Sequence, residues 1–160
     1  MMAYSHIAHD CQIHDGVILA NGVQLGGHVV IEERVLLGGL AGAHQFVRIG
    51  KLAMIGAISK ASQDILPFSI SDGRPLRTYA INTVGLERAG ISKETQRFLA
   101  KAFRLLLRSG LSAPNALEQI EKELPPSPEL QYLIQFVRNS KRGFCGGVEG
   151  KQGESSSWSS

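Results

Sequence analysis

Aromatic side chains are scarce in this sequence, 6% of 160 residues with one Trp, which argues against a core built on bulky rings. Only two cysteines occur, Cys11 and Cys145, and neither belongs to a Cys-x-x-Cys pair. A disulfide framework or zinc–thiolate site is therefore not expected, and a reducing cytoplasm fits best. No apolar run reaches the roughly 18 residues of a membrane span. The opening Met1-Met2-Ala3-Tyr4-Ser5-His6 lacks the basic and long apolar regions of a signal peptide. Charged residues make up only 19%, and the net charge of +3 does not by itself call for nucleic acid. Against these shortages stand 43% hydrophobic residues and 18 glycines. That is enough for a packed core, in a composition suited to thin-walled, repetitive architecture.

A period of six organises the first 60 or so positions. Aliphatic residues fall at Ile7, Ile13, Leu19, Leu25, Ile31, Leu37, Ile49 and Ile55, with Ala43 in the remaining slot. Four residues after each comes a small or β-branched one: Cys11, Val17, Val23, Val29, Val35, Ala41, Val47, Ala53, Ser59. An amphipathic helix repeats near 3.6 and a lone strand at 2, so a strict six predicts short strands separated by turns. A β-sandwich with accidental spacing would not keep eight aliphatics in register. Stacked three to a triangular coil, the pattern resembles a left-handed parallel β-helix, each coil touching only its neighbours. The hand comes from that resemblance, because general crossover rules favour the other.

The phase dissolves after Ile65-Leu66-Pro67-Phe68, and Ser71-Asp72-Gly73-Arg74-Pro75 reads as loop. Ser92 is placed to cap a helix with Phe98, Leu99, Ala102, Phe103, Leu106 and Leu107 on its apolar face, ending at Ser109-Gly110. A second helix is expected from about Ser112 to Glu123 and a third from Ser127-Pro128, with Leu130, Leu133, Ile134 and Val137 buried. The expected organisation is a β-helix over 1–69, connecting loops over 70–91, a helical domain over 92–144 and a disordered tail over 145–160.

Eighteen residues per coil put His9, Gly27 and Gln45 in one vertical column, flanked by His28 and His44, with His6 on the coil of His9. Solvated corners can carry histidines singly, but four of five at one edge point to a site. Asp10 can fix the tautomer of a neighbouring imidazole and raise its basicity. Gly27 leaves its N–H open to an oxyanion. A base, its orienter and an oxyanion donor are the parts of acyl transfer. Zinc held by His9 and His14 is the weaker reading, since it leaves Asp10, Gln45 and the helical part unexplained. No metal or cofactor is called for.

Four segments, His6-Ile7-Ala8-His9-Asp10-Cys11, Leu19-Ala20-Asn21, Ala43-His44-Gln45-Phe46 and Asn82-Thr83-Val84-Gly85-Leu86-Glu87-Arg88, closely resemble the bacterial UDP-N-acetylglucosamine O-acyltransferases, which open lipid A synthesis. The likeness runs from about residue 3 to Phe144. It implies that His9 takes the proton of the sugar 3-hydroxyl as that oxygen attacks an acyl thioester, with Asp10 in support and the Gly27 N–H on the oxyanion. His6, His28, His44 and Gln45 would line the pocket, Asn82 and Arg88 would meet the nucleotide, and Ala57 would limit acyl-chain length. Two positions depart from the family pattern: Val84 stands in place of a Glu, and Ala89 in place of a second Arg. His9 could equally serve a 3-amino sugar.

The donor implied is a 3-hydroxyacyl-acyl carrier protein, which is strongly acidic. Arg97, Lys101, Arg104 and Arg108, spaced 4, 3 and 4, share one helix face and offer it a docking stripe, although a merely solvated face has the same look. The resemblance also implies a homotrimer, and coils that come earlier in the family. A truncated chain that acts at most as a trimerising or binding module is thus the competing expectation, and exposed coil ends predict poor trimerisation or aggregation.

Overall fold

A computed structural model describes residues 1–147. Ten two-residue strands come first: β1 His6–Ile7, β2 Gln12–Ile13, β3 Ile18–Leu19, β4 Gln24–Leu25, β5 Val30–Ile31, β6 Leu36–Leu37, β7 Gly42–Ala43, β8 Arg48–Ile49, β9 Met54–Ile55 and β10 Lys60–Ala61. Each of the first seven pairs in parallel with the third strand after it. His6 faces Gln24, Gln24 faces Gly42 and Gly42 faces Lys60, an offset of 18 each time (24 − 6 = 18). Three parallel sheets result, β1-β4-β7-β10, β2-β5-β8 and one that includes β3-β6-β9, forming a left-handed parallel β-helix.

Within each strand pair the first residue faces out and the second in, the alternation of any β-strand. Leu25, Ile31, Leu37, Ile49 and Ile55 stack inside, and Val23, Val29, Val35, Ala41, Val47 and Ala53 fill the space beneath the corners, all 2% exposed or less. Every corner needs a left-handed residue. Non-glycine side chains at Asp10, His28, Arg34, Leu40, Phe46, Leu52 and Ile58 adopt it, with φ between 56° and 66°. That conformation is disfavoured, and the stacking offsets it. From the second coil on, the N–H of the corner residue donates to a corner carbonyl of the preceding coil: His28 to His9 (3.0 Å), Leu40 to Asn21 (2.8 Å), Phe46 to Gly27 (3.0 Å).

Ile7 and Ile13 lie in the inward columns but are 36% and 38% exposed, because no coil covers the outer side of theirs. The opposite end is closed. Leu76 and Cys145 lie against the interior of the last coil, and that coil is two residues short, Ile65 pairing with Ile49 at an offset of 16 (65 − 49). This shortening is what ends the six-residue phase.

The expectation of connecting loops over 70–91 is corrected. Strand β11 (Ser69–Asp72) joins β9 in parallel and forms an antiparallel hairpin with β12 (Arg77–Ile81), and helix α1 spans Thr83–Arg88. The hairpin buries Ser69, Ser71 and Thr78 instead of aliphatics, so hydrophobic alternation could not reveal it. Its hydroxyls are satisfied internally: Ser71 Oγ lies 3.0 Å from Thr78 Oγ1, and Ser69 Oγ donates to the Leu66 carbonyl at 2.6 Å. The expected tail is also corrected at its start. Cys145 is buried, and Gly147 bridges to Thr78; residues 148–160 lie outside the described residues.

Helices α2 (Lys93–Arg108), α3 (Ala113–Glu123) and α4 (Pro128–Asn139) begin at the predicted caps Ser92, Ser112 and Ser127, whose hydroxyls accept from the N–H three residues on. Their apolar faces form a second core with Leu52, Leu66 and Phe68 of the β-helix. Two cations reinforce the joint: Arg48 lies 4.4 Å from the centre of the Phe136 ring and Lys51 4.0 Å from that of Tyr132.

Leu37→Ala, at a fully buried inward position, should lower stability by about 2–5 kcal/mol in denaturant unfolding. Ile7→Ala, in the half-open coil, should cost under about 1 kcal/mol. Burial pushes the Cys145 thiol above its ordinary value of 9.0, so alkylation should reach it only when the chain is unfolded.

Candidate active site

The β-helix turns the sequence column into a physical one. His9 and Asp10 form the corner after β1, Gly27 and His28 the corner after β4, Gln45 and Phe46 the corner after β7. The left-handed φ of 59° at Asp10 turns its carboxylate back towards His9. His9 Nδ1 lies 2.9 Å from Asp10 Oδ2. A carboxylate only accepts, so the bond places the imidazole proton on Nδ1 and leaves the Nε2 lone pair free. Hydrogen bonding by His9, followed by the charge of His28, holds the Asp10 carboxyl below its ordinary 3.8.

The ring of His9 lies over Gly27. A Cβ at position 27 would sit 2.8 Å from both Cε1 and Nε2 of His9, so only glycine leaves the ring where it is. Gly26 donates to the Ala43 carbonyl and His28 to that of His9; among the described residues the intervening Gly27 N–H has no backbone acceptor. A free N–H therefore lies next to a free imidazole lone pair. Phe46, stacked on His28 at 4.6 Å with rings 4° from parallel, and His28, edge-on to His9 at 5.1 Å, wall the opposite side.

Gly27 also borders a groove of about 530 Å³ across the outer face of the β4-β7-β10 sheet, where His44 and Gln45 join it at one corner and Leu40 lies at the other. His6 stands at the top of this face, paired in register with the groove residue Gln24. The structure thus unites His9, Asp10, Gly27 and His28, and it brings Gly27 together with His44 and Gln45.

Other expected residues stand apart within one chain. Ala57 is at the corner between β9 and β10, across the groove face from His9. Asn82 caps α1, its Oδ1 accepting from Gly85 N–H (3.1 Å) and its Nδ2 donating to the Leu52 carbonyl (2.9 Å) at the third corner. Arg88 is exposed at the end of that helix. Arg97, Lys101, Arg104 and Arg108 are all exposed on α2. Among the described residues, the ion pairs of the helical part are Lys93–Glu87, Lys122–Glu118 and Arg138–Glu121, so no carboxylate neutralises the stripe. His14 lies 3.3 Å from Glu33 and at another corner than His9, so the two do not meet within one chain. His9, Asp10 and His28 do place ligand atoms within 4.8 Å of one another, and His9 and Asp10 of this group are also hydrogen-bonded to each other. Sequence reasoning placed Phe46 in the Ala43-His44-Gln45-Phe46 segment but gave it no role as a wall of the site.

Residues 64–145 match the model of a family described as Udp N-acetylglucosamine O-acyltransferase, domain 2. The chain belongs to the UDP-N-acetylglucosamine O-acyltransferase family. An acyl-[acyl-carrier-protein]–UDP-N-acetylglucosamine O-acyltransferase of Gloeothece citriformis is 42% identical over 154 residues, 95% of this chain and 55% of the relative. The solved LpxA of Acinetobacter baumannii superposes with a TM-score of 0.85 at 41% identity, covering 88% of this chain and 55% of that one. The UDP-N-acetylglucosamine acyltransferase of Bacteroides fragilis gives a TM-score of 0.88 at 36% identity, covering 90% and 56%. The chain therefore spans about half the length of the family relatives it matches. The family model covers the hairpin and helices, while these longer likenesses extend over the coils that carry His9 and Gly27.

In this family member the Asp10 carboxyl should titrate below 3.8 by carbon-13 NMR and move up towards that value in His9→Ala. The His9–Asp10 contact, with its depressed carboxyl, is at full strength above 3.8 and should be lost as pH falls through the folded value. Gly27→Ala should leave the melting temperature within a few degrees, because the atoms it meets end an exposed side chain, yet displace the His9 ring resonances.

Proposed function

We propose that the chain transfers a 3-hydroxyacyl group from acyl carrier protein to the 3-hydroxyl of UDP-N-acetylglucosamine. The observation that carries this reading is the free Nε2 of His9, oriented by Asp10 and lying over Gly27. Nε2 takes the hydroxyl proton as the sugar oxygen bonds to the thioester carbonyl carbon. The resulting oxyanion accepts from the Gly27 N–H, and on collapse the carbon–sulfur bond breaks while His9 returns the proton to the departing thiolate. The groove beside Gly27, lined by His44 and Gln45, holds sugar and acyl chain, and Ala57 limits the length of that chain.

His9, Ala57 and the Asn82 cap project from three different corners of one prism, so a complete site of this kind needs more than one copy. Leu40, Phe46 and Ile58, 63%, 55% and 51% exposed at the two corners that flank the groove face, support association there as a homotrimer. Asn82 and Arg88 would then meet the nucleotide from a neighbouring copy. Arg97, Lys101, Arg104 and Arg108 receive the acidic carrier. No helix among the described residues is long and apolar enough to cross a membrane, and a cytoplasmic setting agrees with two free cysteines.

The chain's span, 55% of its relative's length, favours a second reading, a binding or trimerising module without turnover. Acyl transfer from 3-hydroxyacyl-carrier protein to the sugar nucleotide decides between them. His9→Ala should lower the rate by about 10²–10⁴-fold, and absence of transfer by the unaltered chain would favour the module. Reversing two charges of the stripe, Lys101→Glu with Arg104→Glu, should raise KM for the carrier by about tenfold with kcat unchanged, more strongly at low salt.

A further inference from the structure

Residues 140–147 leave α4 and return to the coils, and one buried carboxylate fixes that return. Asp64 is 2% exposed. Its Oδ2 accepts from Ser140 Oγ at 2.7 Å, its N–H donates to the Gly143 carbonyl at 3.1 Å, and its carbonyl accepts from the Cys145 N–H at 2.8 Å. The carboxylate is itself held by the coil, Oδ1 accepting from the Arg48 N–H at 2.8 Å. Chain anchored at 140, 143 and 145 has little freedom at the two residues between the first two anchors. One of them is Arg142, and its guanidinium spans the gap to the corner of the candidate site. Nη1 donates to the Gln45 carbonyl at 2.6 Å and lies 3.5 Å from His44 Nδ1.

We propose that Arg142 is a positioning residue for the groove: it clamps the 44–46 corner and holds His44 in the tautomer that carries its proton on Nε2. The chemistry of the pair sets the tautomer. A guanidinium has donors and no acceptor, so the neutral imidazole can meet it only with a bare Nδ1, and the ring proton then lies on Nε2. His44 becomes the opposite of His9. One imidazole, with a carboxylate at Nδ1, exposes a lone pair; the other, with a guanidinium at Nδ1, exposes a donor. A corner that carries both a fixed donor and the Gln45 amide suits a ligand rich in oxygen acceptors, such as the hydroxyls and amide of an acylamino sugar.

The clamp also reaches the oxyanion donor. Phe46 N–H donates to the Gly27 carbonyl at 3.0 Å, and a Cβ on Gly26 would lie 2.7 Å from the Gln45 nitrogen, so the corner at 44–46 and the Gly26-Gly27 segment cannot shift independently. The helical part, remote in sequence from His9, thereby sets the geometry around Gly27. This assignment rests on reading the groove as the acyl-transfer site only for its purpose; the tautomer and the clamp are testable without turnover.

The test is nitrogen-15 NMR of the histidine rings and backbone amides in this chain, in Arg142→Ala and in Arg138→Ala as a control whose ion pair is with Glu121. One hydrogen bond of ordinary strength biases a tautomer by about 2- to 10-fold. Arg142→Ala should therefore raise the Nδ1–H share of neutral His44 by at least about twofold and shift the Gly27 amide, with His9 still protonated at Nδ1. Arg138→Ala should do neither. A His44 tautomer and Gly27 amide unchanged in Arg142→Ala would overturn the proposal. Acyl transfer measured on the same proteins separates the two claims. A shifted tautomer in a chain that never transfers acyl groups upholds the clamp and removes the acyl-transfer reading.

Discussion

Hydrogen bonding from each coil to the one 18 residues on is the constraint from which the rest follows. It sets the spacing of coils at about 4.8 Å and aligns the aliphatic columns. From the second coil on, it also restrains the left-handed corner residues, whose N–H groups are the donors. Because the corner residues are held in that conformation, their side chains project in a fixed direction on every coil. The candidate site is one such corner read downwards: a histidine on the first coil, a glycine on the second, a polar wall on the third.

The environment of this corner differs from that of a buried catalytic site. His9 and Asp10 are exposed, with side-chain accessibilities of 73% and 67%, so their interaction is screened by water and contributes orientation more than binding strength. A site of this kind gains from being covered, because donors and dipoles act more strongly once water leaves. The apolar residues at the corners on either side of the groove supply a surface for such a cover.

The coils were legible in the sequence because their rule is one-dimensional. A residue's inward or outward aspect depends only on its position modulo six, and Leu37 or Val35 can be placed by counting. The same counting put His9, Gly27 and Gln45 in one column. What counting missed, it missed for physical reasons. The hairpin at Ser69–Ile81 buries hydroxyls that satisfy one another, which gives no hydrophobic signal. Cys145 was assigned to a tail because glycines follow it, yet it fills the open end of the last coil. Asn82 could be singled out but not tied to the third corner, since its side-chain amide donates to the Leu52 carbonyl 30 residues earlier. Arg142 carried no pattern at all; its contacts lie 97 and 98 residues away.

The fixed coil length also governs how such a molecule can change in size. In an ordinary domain a residue inserted into a surface turn is absorbed locally. Here, one extra residue between Asp10 and Gly27, if kept within the wall, would advance everything after it by one place, setting polar positions inward and parting the histidine from its glycine. Length can therefore vary freely only by whole turns of the prism, or by excursions that leave a corner and return to it. The shortened coil at Ile65 obeys this rule from the other side: two residues were removed where no further full coil had to stay in register.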